Sequence, residues 1–216
     1  MDKAKSDVVK TILEERLLAI IRHVGEKQSL KTVETMLQSG VKVVEITLNT
    51  VSAIDIIHKL RKEFGSEIKL GAGTVVLANE AAQAMEAGAE FIVTPVIVPE
   101  VITYCRYREV TVIPGALTPT EIATAYRLGA DIVKVFPANV MGASYFKVLQ
   151  GPLSHIPLAA VGGVTLENGR SFLDNGAKVL GVGSSLFANR LIKQGDWKEL
   201  RELANKFKIM AGGKGV

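Results

Sequence analysis

Eight short runs rich in β-branched residues, separated by longer amphipathic stretches, constrain the fold of this chain more than any other feature. The runs cover residues 17–22, 42–47, 69–74, 90–95, 111–115, 131–137, 158–163 and 179–184. Several of the helical patterns between them end in glycine just before the next run, as the C-terminus of a helix commonly does. Repeated β–α units of this kind predict a parallel sheet covered by helices.

Eight units fit a closed (β/α)8 barrel, the TIM barrel, better than an open doubly wound sheet, because no nucleotide-binding glycine fingerprint follows the first run. The chain has 216 residues, is 48% hydrophobic and contains no linker-like segment, so we expect one barrel domain over residues 1–216. The expected parts are an extra N-terminal helix in 1–15, barrel strands and helices in 17–186, a C-terminal helix in 196–210 and a flexible tail in 211–216.

Composition and charge exclude several classes of function. The formal net charge is only +4, and basic residues are scattered among acidic ones, so we expect no nucleic-acid partner. The N-terminal apolar run "LLAII" is too short for a signal peptide or a membrane span, which predicts a cytoplasmic protein without a membrane partner. The single cysteine, Cys105, excludes an internal disulfide, and His23, His58 and His155 show no ligand-like pairing. We therefore expect no metal site.

A lysine interrupts the otherwise apolar sixth run, "DIVKVFP". Strand alternation places Lys134 on the same face as Ile132 and Phe136. If that face points into the barrel, Lys134 shares the interior with Glu45 of the second run and Arg22 at the end of the first. Two hypotheses follow. Lys134 and Glu45 neutralise each other as a structural ion network, or burial and Arg22 lower the lysine pKa so that its neutral amine attacks a carbonyl, with Glu45 as acid/base partner.

Two glycine-rich segments indicate an anion site. "AVGGV" (160–164) and "GVGSS" (181–185) follow the seventh and eighth runs, and barrels commonly bind phosphate in these loops and at helix N-termini. The candidate positions are Gly162, Gly163, Gly183 and Ser184. Tight turns alone would also explain the glycines.

These motifs occur together in the order of a known family. "VEITLNT", "GAGTV", "FIVTP", "PGALTPTE", "VKVFPA", "VGGV" and "GVGSSL" resemble the 2-keto-3-deoxy-6-phosphogluconate (KDPG) aldolase family over about residues 20–186. The family includes 4-hydroxy-2-oxoglutarate (KHG) aldolases and a galactonate series. The resemblance implies a class I, metal-independent aldolase without a cofactor, usually a homotrimer, whose partner is a small phosphorylated keto acid.

The resemblance also implies roles for individual residues. It assigns imine formation to Lys134, acid/base catalysis to Glu45, carboxylate binding to Thr74, the pyruvate pocket to Pro95 and Phe136, and phosphate binding to Gly162, Gly163 and Ser184. Thr47 lies on the same face of its strand as Glu45, so we expect it in the same pocket, and Gly183 stays a phosphate candidate from its loop alone. One departure matters: some members resemble "E-x-T-x-R", whereas this chain has Asn49 in the place of that arginine. We hypothesise that Arg22 replaces it as a carboxylate ligand.

The sequence favours KDPG as substrate, cleaved to pyruvate and glyceraldehyde 3-phosphate, with KHG, cleaved to pyruvate and glyoxylate, as a second substrate. "PGALTPTE" resembles the bifunctional KDPG/KHG members, but Val161 and "TLN" resemble the galactonate branch, which stays an alternative. Two other classes also stay open. A sugar-phosphate epimerase barrel would share the glycine loops without needing Lys134, and a non-catalytic binding barrel would not need Glu45.

Overall fold

A computed structural model describes residues 3–187 and 189–212 of the chain. Its strand segments are β1 Leu17–Ile21, β2 Val43–Thr47, β3 Lys69–Gly73, β4 Phe91–Val93, β5 Thr111–Ile113, β6 Gly115–Ala116, β7 Val133–Val135, β8 Leu158–Val161 and β9 Val179–Val182. Its helices are α1 Lys3–Glu15, α2 Glu26–Gln38, α3 Ala53–Phe64, α4 Ala78–Glu86, α5 Pro99–Tyr107, α6 Pro119–Leu128, α7 Ala138–Met141, α8 Ala143–Leu153, α9 Gly169–Asp174, α10 Asn189–Gln194 and α11 Trp197–Met210, with a 3₁₀ turn at Gly65–Glu67. Most of the predicted flexible tail, residues 213–216, lies outside the described residues.

The strands form a nearly closed parallel barrel, in the order β5-β4-β3-β2-β1-β9-β8-β7-β6. The two ends of this order, β5 and β6, are consecutive halves of the fifth predicted strand, interrupted at Pro114. The fifth strand pairs with β4 on one side and with β7 on the other. On the β7 side, the backbone N–H of Asp131 donates to the carbonyl oxygen of Val112 (3.0 Å), and the N–H of Lys134 donates to the carbonyl oxygen of Pro114 (2.9 Å). The predicted α/β barrel of eight strands is therefore confirmed.

Several strands are shorter than predicted. The fourth and sixth runs keep three residues each, Phe91–Val93 and Val133–Val135, in place of the predicted six and seven. The predicted runs end at Pro95 and Pro137, and a proline has no N–H for the strand ladder. The expected glycine ends of the helices are present: Gly129 follows α6 with a φ of 110°, a conformation that glycine adopts without steric cost.

Two apolar layers hold the barrel together. One lies between the strands and the surrounding helices, and the other fills the barrel interior. Val8 and Ile12 of α1 belong to the interior cluster, so α1 covers the N-terminal end of the barrel. Its position is reinforced by ion pairs from Lys5 to Asp131 (3.1 Å) and from Asp7 to Lys69 (2.7 Å). The opposite, C-terminal end is where barrel enzymes place their sites.

Two side chains outside the barrel interior, His58 and Cys105, lie in environments that suit no catalytic role. His58 is exposed on α3, and Cys105 is fully buried on α5, where burial raises the pKa of its thiol to about 12. A thiol with so high a pKa is a poor nucleophile at neutral pH. Within the described ranges, no helix is both long and apolar enough to cross a membrane.

Candidate active site

Lys134 lies at the centre of β7 and points into the barrel interior, as the alternation predicted. Its neighbours in the sheet are Gly115 and Ala159, whose small size leaves room beside it. The side chain is only 5% exposed, and its Nζ lies 5.0 Å from the centroid of the Phe136 ring. Burial lowers the pKa of Lys134, and Arg22 lowers it further, whereas Glu45 acts in the opposite direction. A larger share of the amine is therefore neutral than in a solvated lysine.

Glu45 lies at the centre of β2, opposite Ile20 and Gly71 in the neighbouring strands. It is 1% exposed, and its Oε2 has no hydrogen-bond partner among the described residues. Burial raises the pKa of the carboxyl group, while the charges of Lys134 and Arg22 pull it down. A carboxyl group raised toward neutrality is suited to both giving and taking a proton.

No ion pair joins Lys134 to Glu45 in the part of the chain that the structure describes. Each nevertheless shifts the pKa of the other through its charge. Two buried ionisable groups without a direct bond destabilise a fold, since their mutual attraction recovers only part of the free energy lost on leaving water. Such groups are more typical of functional sites than of packing.

A cavity of about 360 Å³ opens at the C-terminal end of the barrel above Lys134. Its lining consists of Ile20, Arg22, His23, Lys134, Phe136, Val161, Gly162, Gly163, Val164, Thr165, Gly181, Gly183, Ser184, Ser185 and Phe187. The lining residues include Arg22, His23 and Lys134 but no aspartate or glutamate. The cavity is therefore suited to an anionic ligand. The predicted carboxylate ligand Arg22, pocket residue Phe136 and phosphate-binding positions all line it.

Four predicted site residues do not line this cavity: Glu45 and Thr47 in β2, Thr74 directly after β3, and Pro95 two residues after the end of β4. Thr47 is fully buried, and its hydroxyl lies 3.4 Å from the carbonyl oxygen of Ile21 and 3.3 Å from the Thr50 hydroxyl. Thr74 is partly exposed and has a left-handed φ of 60°, which is uncommon for threonine. The roles predicted for these four residues, in acid/base catalysis, the pyruvate pocket and carboxylate binding, stay predictions.

The glycine-rich loops have defined turns. Gly162 and Gly163 have φ values of 96° and 68°, which only glycine adopts readily. The Asn168 side chain holds this loop together, donating to the Gly163 carbonyl (2.8 Å) and accepting from the Thr165 N–H (2.8 Å). Helix α9 begins only at Gly169, and α10 only at Asn189. The expected helix N-termini are thus set back from the glycines by a turn, and the loop itself faces the cavity.

The sequence reasoning missed three polar residues of the cavity, His23, Thr165 and Ser185. His23 and Thr165 directly follow a strand or a glycine motif that was recognised, and Ser185 lies within such a motif without having been singled out. His23 comes after Arg22, Thr165 after "AVGGV", and Ser185 ends "GVGSS". Their place at the C-terminal ends of β1, β8 and β9 was the available signal.

Together these features define an α/β barrel whose C-terminal cavity is suited to a small anionic molecule and has a buried lysine at its floor. The family model for KDPG and KHG aldolases matches residues 8–203, and the chain belongs to this family of lyases.

Several of the curated proteins and solved structures similar to this chain are aldolases of the same family. The chain is 37% identical over 172 residues to the 2-dehydro-3-deoxy-6-phosphogalactonate aldolase of Escherichia coli, covering 79% of this chain and 84% of that protein. It is 31% identical over 194 residues to the 2-dehydro-3-deoxy-phosphogluconate aldolase of Pseudomonas aeruginosa, covering 89% and 88%. The crystal structure of KDPG aldolase from Legionella pneumophila superposes with a TM-score of 0.85 at 24% identity, covering 94% of this chain and 97% of that one, and supports the fold.

Proposed function

We propose that this aldolase cleaves a 2-keto-3-deoxy-6-phosphoaldonate to pyruvate and glyceraldehyde 3-phosphate through an imine on Lys134. The observation that carries the proposal is a buried lysine, with no ion pair among the described residues, at the floor of a cavity whose lining includes Arg22 and no acidic residue. The lowered pKa of Lys134 provides the neutral amine that imine formation requires. The Legionella protein holds pyruvate as a covalent carbinolamine, and the proposal assigns the same chemistry to Lys134.

The reaction begins when the Lys134 amine attacks the C2 ketone of the substrate. Loss of water from the carbinolamine gives an iminium ion, which withdraws electrons from the neighbouring carbons. A base removes the proton of the C4 hydroxyl group, the C3–C4 bond breaks, and its electron pair moves into the enamine as the aldehyde leaves. Protonation of the enamine at C3 and hydrolysis of the imine release pyruvate and restore the amine.

Glu45 is the proposed base and acid of these steps. Its Oε2 has no partner among the described residues, and burial raises its pKa. Since no direct bond joins it to Lys134, a substrate hydroxyl group or a water molecule between the two groups would relay the proton. An ionised Glu45 takes the C4 hydroxyl proton, and the protonated form returns one to the enamine.

Arg22, Thr74 and the glycine-rich loops would position the two anionic ends of the substrate. Arg22 is the proposed ligand of the carboxylate in place of the arginine that Asn49 replaces, with Thr74 as a second ligand. The loops after β8 and β9 are proposed to bind the phosphate, through Gly162, Gly163, Gly183 and Ser184. Binding at a remote phosphate helps to align the reacting carbons, so it favours turnover as well as affinity.

The gluconate and galactonate substrates differ in configuration at C4, and the residues of the cavity wall bear on which of the two is preferred. "PGALTPTE", the motif that favoured the gluconate epimer, contributes no side chain to the cavity lining. Val161, which resembles the galactonate branch, lies in the cavity wall and offers no hydroxyl group to the substrate. The 37% identity to the galactonate aldolase of E. coli points the same way. We therefore propose the galactonate epimer as the preferred substrate, with KDPG as the second candidate.

The test is a coupled assay of pyruvate release from both 6-phosphorylated epimers and from KHG. The proposal predicts cleavage of the phosphorylated substrates with higher kcat/KM for the galactonate epimer, and loss of at least about 10³-fold in Lys134→Met. Lys147→Met, a change at an exposed lysine of α8, is the matched control. Unchanged turnover in Lys134→Met would refute Lys134 as the nucleophile, whereas no pyruvate release by the folded, unmodified protein from any of the three substrates would favour the epimerase or binding-barrel hypothesis.

The homotrimer that the family resemblance implies is also a proposal. Val140 and Met141 of α7 and Val148 of α8 are exposed apolar side chains on consecutive helices, a surface of the kind that subunit contacts cover. Light scattering should give three times the mass of the chain, and Val148→Glu should lower it. A monomeric mass for the unmodified protein would contradict the proposal.

A further inference from the structure

His23 holds an unusual backbone conformation at the edge of the cavity. Its φ is 55°, in the left-handed region that residues other than glycine rarely adopt. The conformation is held by the backbone N–H of His23, which donates to the Thr50 hydroxyl oxygen at 2.9 Å, and that oxygen lies 3.3 Å from the Thr47 hydroxyl. Strained residues fixed in this way cluster at functional sites, where the strain directs a side chain.

The barrel order brings this residue beside the glycine-rich loops. Strand β1 lies next to β9, and β9 lies next to β8. The loops after these three strands are therefore neighbours, and all three contribute to the same cavity lining. His23 is exposed at the cavity, whereas Lys134 is 5% exposed at its floor. A ligand bound to Lys134 would extend outward toward His23.

The chemistry of the ligand decides which end it would present. If C2 reacts with Lys134, the carboxylate carbon, C1, is its direct neighbour and stays deep in the cavity. The phosphate on C6 is four carbons further away and reaches the outer part. An imidazole there, beside Arg22 and without a carboxylate in the lining, has an N–H to donate to a phosphate oxygen.

We propose that His23 is a specificity-determining residue that donates a hydrogen bond to the phosphate of the substrate, alongside the loops after β8 and β9. This inference rests on the proposed aldolase reaction for its substrate, but the phosphate contact itself does not depend on catalysis. Neither sequence motif nor family resemblance assigned this histidine a role.

Two substitutions separate the imidazole from the backbone strain. His23→Asn keeps the N–H that Thr50 binds and tolerates the left-handed conformation, but it removes the imidazole. His23→Gly relieves the strain and removes the side chain altogether. His58→Asn, at an exposed histidine of α3 outside the cavity, is the matched control.

The first measurement is the ratio of kcat/KM for the phosphorylated keto acid to that for its unphosphorylated analogue. We expect both His23 variants to lower this ratio about 10- to 100-fold, mainly through KM for the phosphorylated substrate, and His58→Asn to leave it unchanged. Equal losses on both substrates, or no loss, would overturn the inference.

The second measurement is binding of inorganic phosphate to each protein by calorimetry, which needs no turnover. Weaker binding in His23→Asn and His23→Gly than in the unmodified protein supports the contact, and equal binding contradicts it. A protein that binds phosphate through His23 but releases no pyruvate would refute the proposed aldolase reaction and leave the phosphate contact standing.

Discussion

A β-carbon placed on Gly73 would lie 1.7 Å from Oε1 of Glu45, so the carboxyl group of Glu45 occupies the space that any other residue at position 73 would fill. Strand β3 thus contributes no side chain beside Glu45, and this lets the carboxyl group lie across the barrel interior. The "GAG" motif, recognised only as part of a resemblance, has a packing reason.

Gly73→Ala should therefore move the Glu45 carboxyl group and impair proton transfer. We expect kcat to fall about 10²-fold with a smaller change in KM, because general acid/base catalysis typically contributes 10²–10⁴-fold. The control is Gly151→Ala, on α8, where an added β-carbon meets nothing within 4 Å. Steady-state kinetics on both variants test this, and a Gly73→Ala enzyme with normal kcat would show that Glu45 has room elsewhere or no role in proton transfer.

Removing both buried charges should stabilise the fold. We expect the double variant Lys134→Met, Glu45→Met to be inactive but to unfold with a free energy about 1–4 kcal/mol higher, equivalent to a Tm several degrees higher. Lys147→Met, at an exposed site, should change Tm little.

The gain in unfolding free energy of the double variant should depend on pH, because folding shifts the pKa values of Lys134 and Glu45 in opposite directions. Folding lowers the pKa of Lys134 below its ordinary 10.5, so the cost of its burial fades as pH rises toward 10.5. Folding raises the pKa of Glu45 above 4.5, so the cost of its burial fades as pH falls toward 4.5. The double variant should therefore gain most near neutral pH, as thermal melts across pH will measure. A gain that is constant with pH would mean that these groups do not carry it.

Arg22→Ala should change both binding and the pH profile. Loss of the guanidinium should raise KM for the keto acid about 10- to 100-fold. Because Arg22 lowers the pKa of both Lys134 and Glu45, its removal should move the acid limb of the kcat profile to higher pH. Arg22→Lys keeps the charge but loses the planar fork, so we expect its KM to rise while the acid limb stays in place. If KM were unchanged in Arg22→Ala, its carboxylate role would be wrong.

Ile12 tests the closure of the barrel by α1. It is fully buried in the interior cluster, so Ile12→Ala should lower the free energy of unfolding by about 2–5 kcal/mol. Activity well below the melting temperature should persist, since α1 covers the end opposite the cavity. Lys10→Ala, on an exposed position of the same helix, is the control for denaturant melts. Loss of activity in folded Ile12→Ala would show that α1 also shapes the site.

The repeated periodicity of the strands was enough to predict the barrel and the interior position of Lys134. Alternation is a local property of a strand, and eight repeats leave few ways to close a sheet. The repeated β–α pattern predicts a helix after "VKVFPA", but not the division of this stretch into α7 and α8 or the continuation of α8 past Pro152, because Gly142 and Pro152 are both weak helix signals. Interior packing overrides such local preferences.

The candidate site was predictable only in part for a related reason. Lys134, Arg22 and the glycine loops are marked by residue type and by their place at strand ends. Whether Lys134 and Glu45 form an ion pair depends on side-chain geometry across the barrel. The space that Gly73 leaves for the Glu45 carboxyl group depends on the same geometry. The hydrophobic periodicity of the sequence predicts neither feature. The feature that marks His23 is its left-handed backbone φ angle, which cannot be predicted from the sequence.

The most direct test of the central claim is the intact mass of the protein after incubation with pyruvate and borohydride, followed by peptide mapping. The imine mechanism predicts a reduced pyruvyl adduct on Lys134, absent from Lys134→Met and present in Lys147→Met. Active protein that gains no adduct, or gains it on another lysine, would contradict the role of Lys134 as the nucleophile.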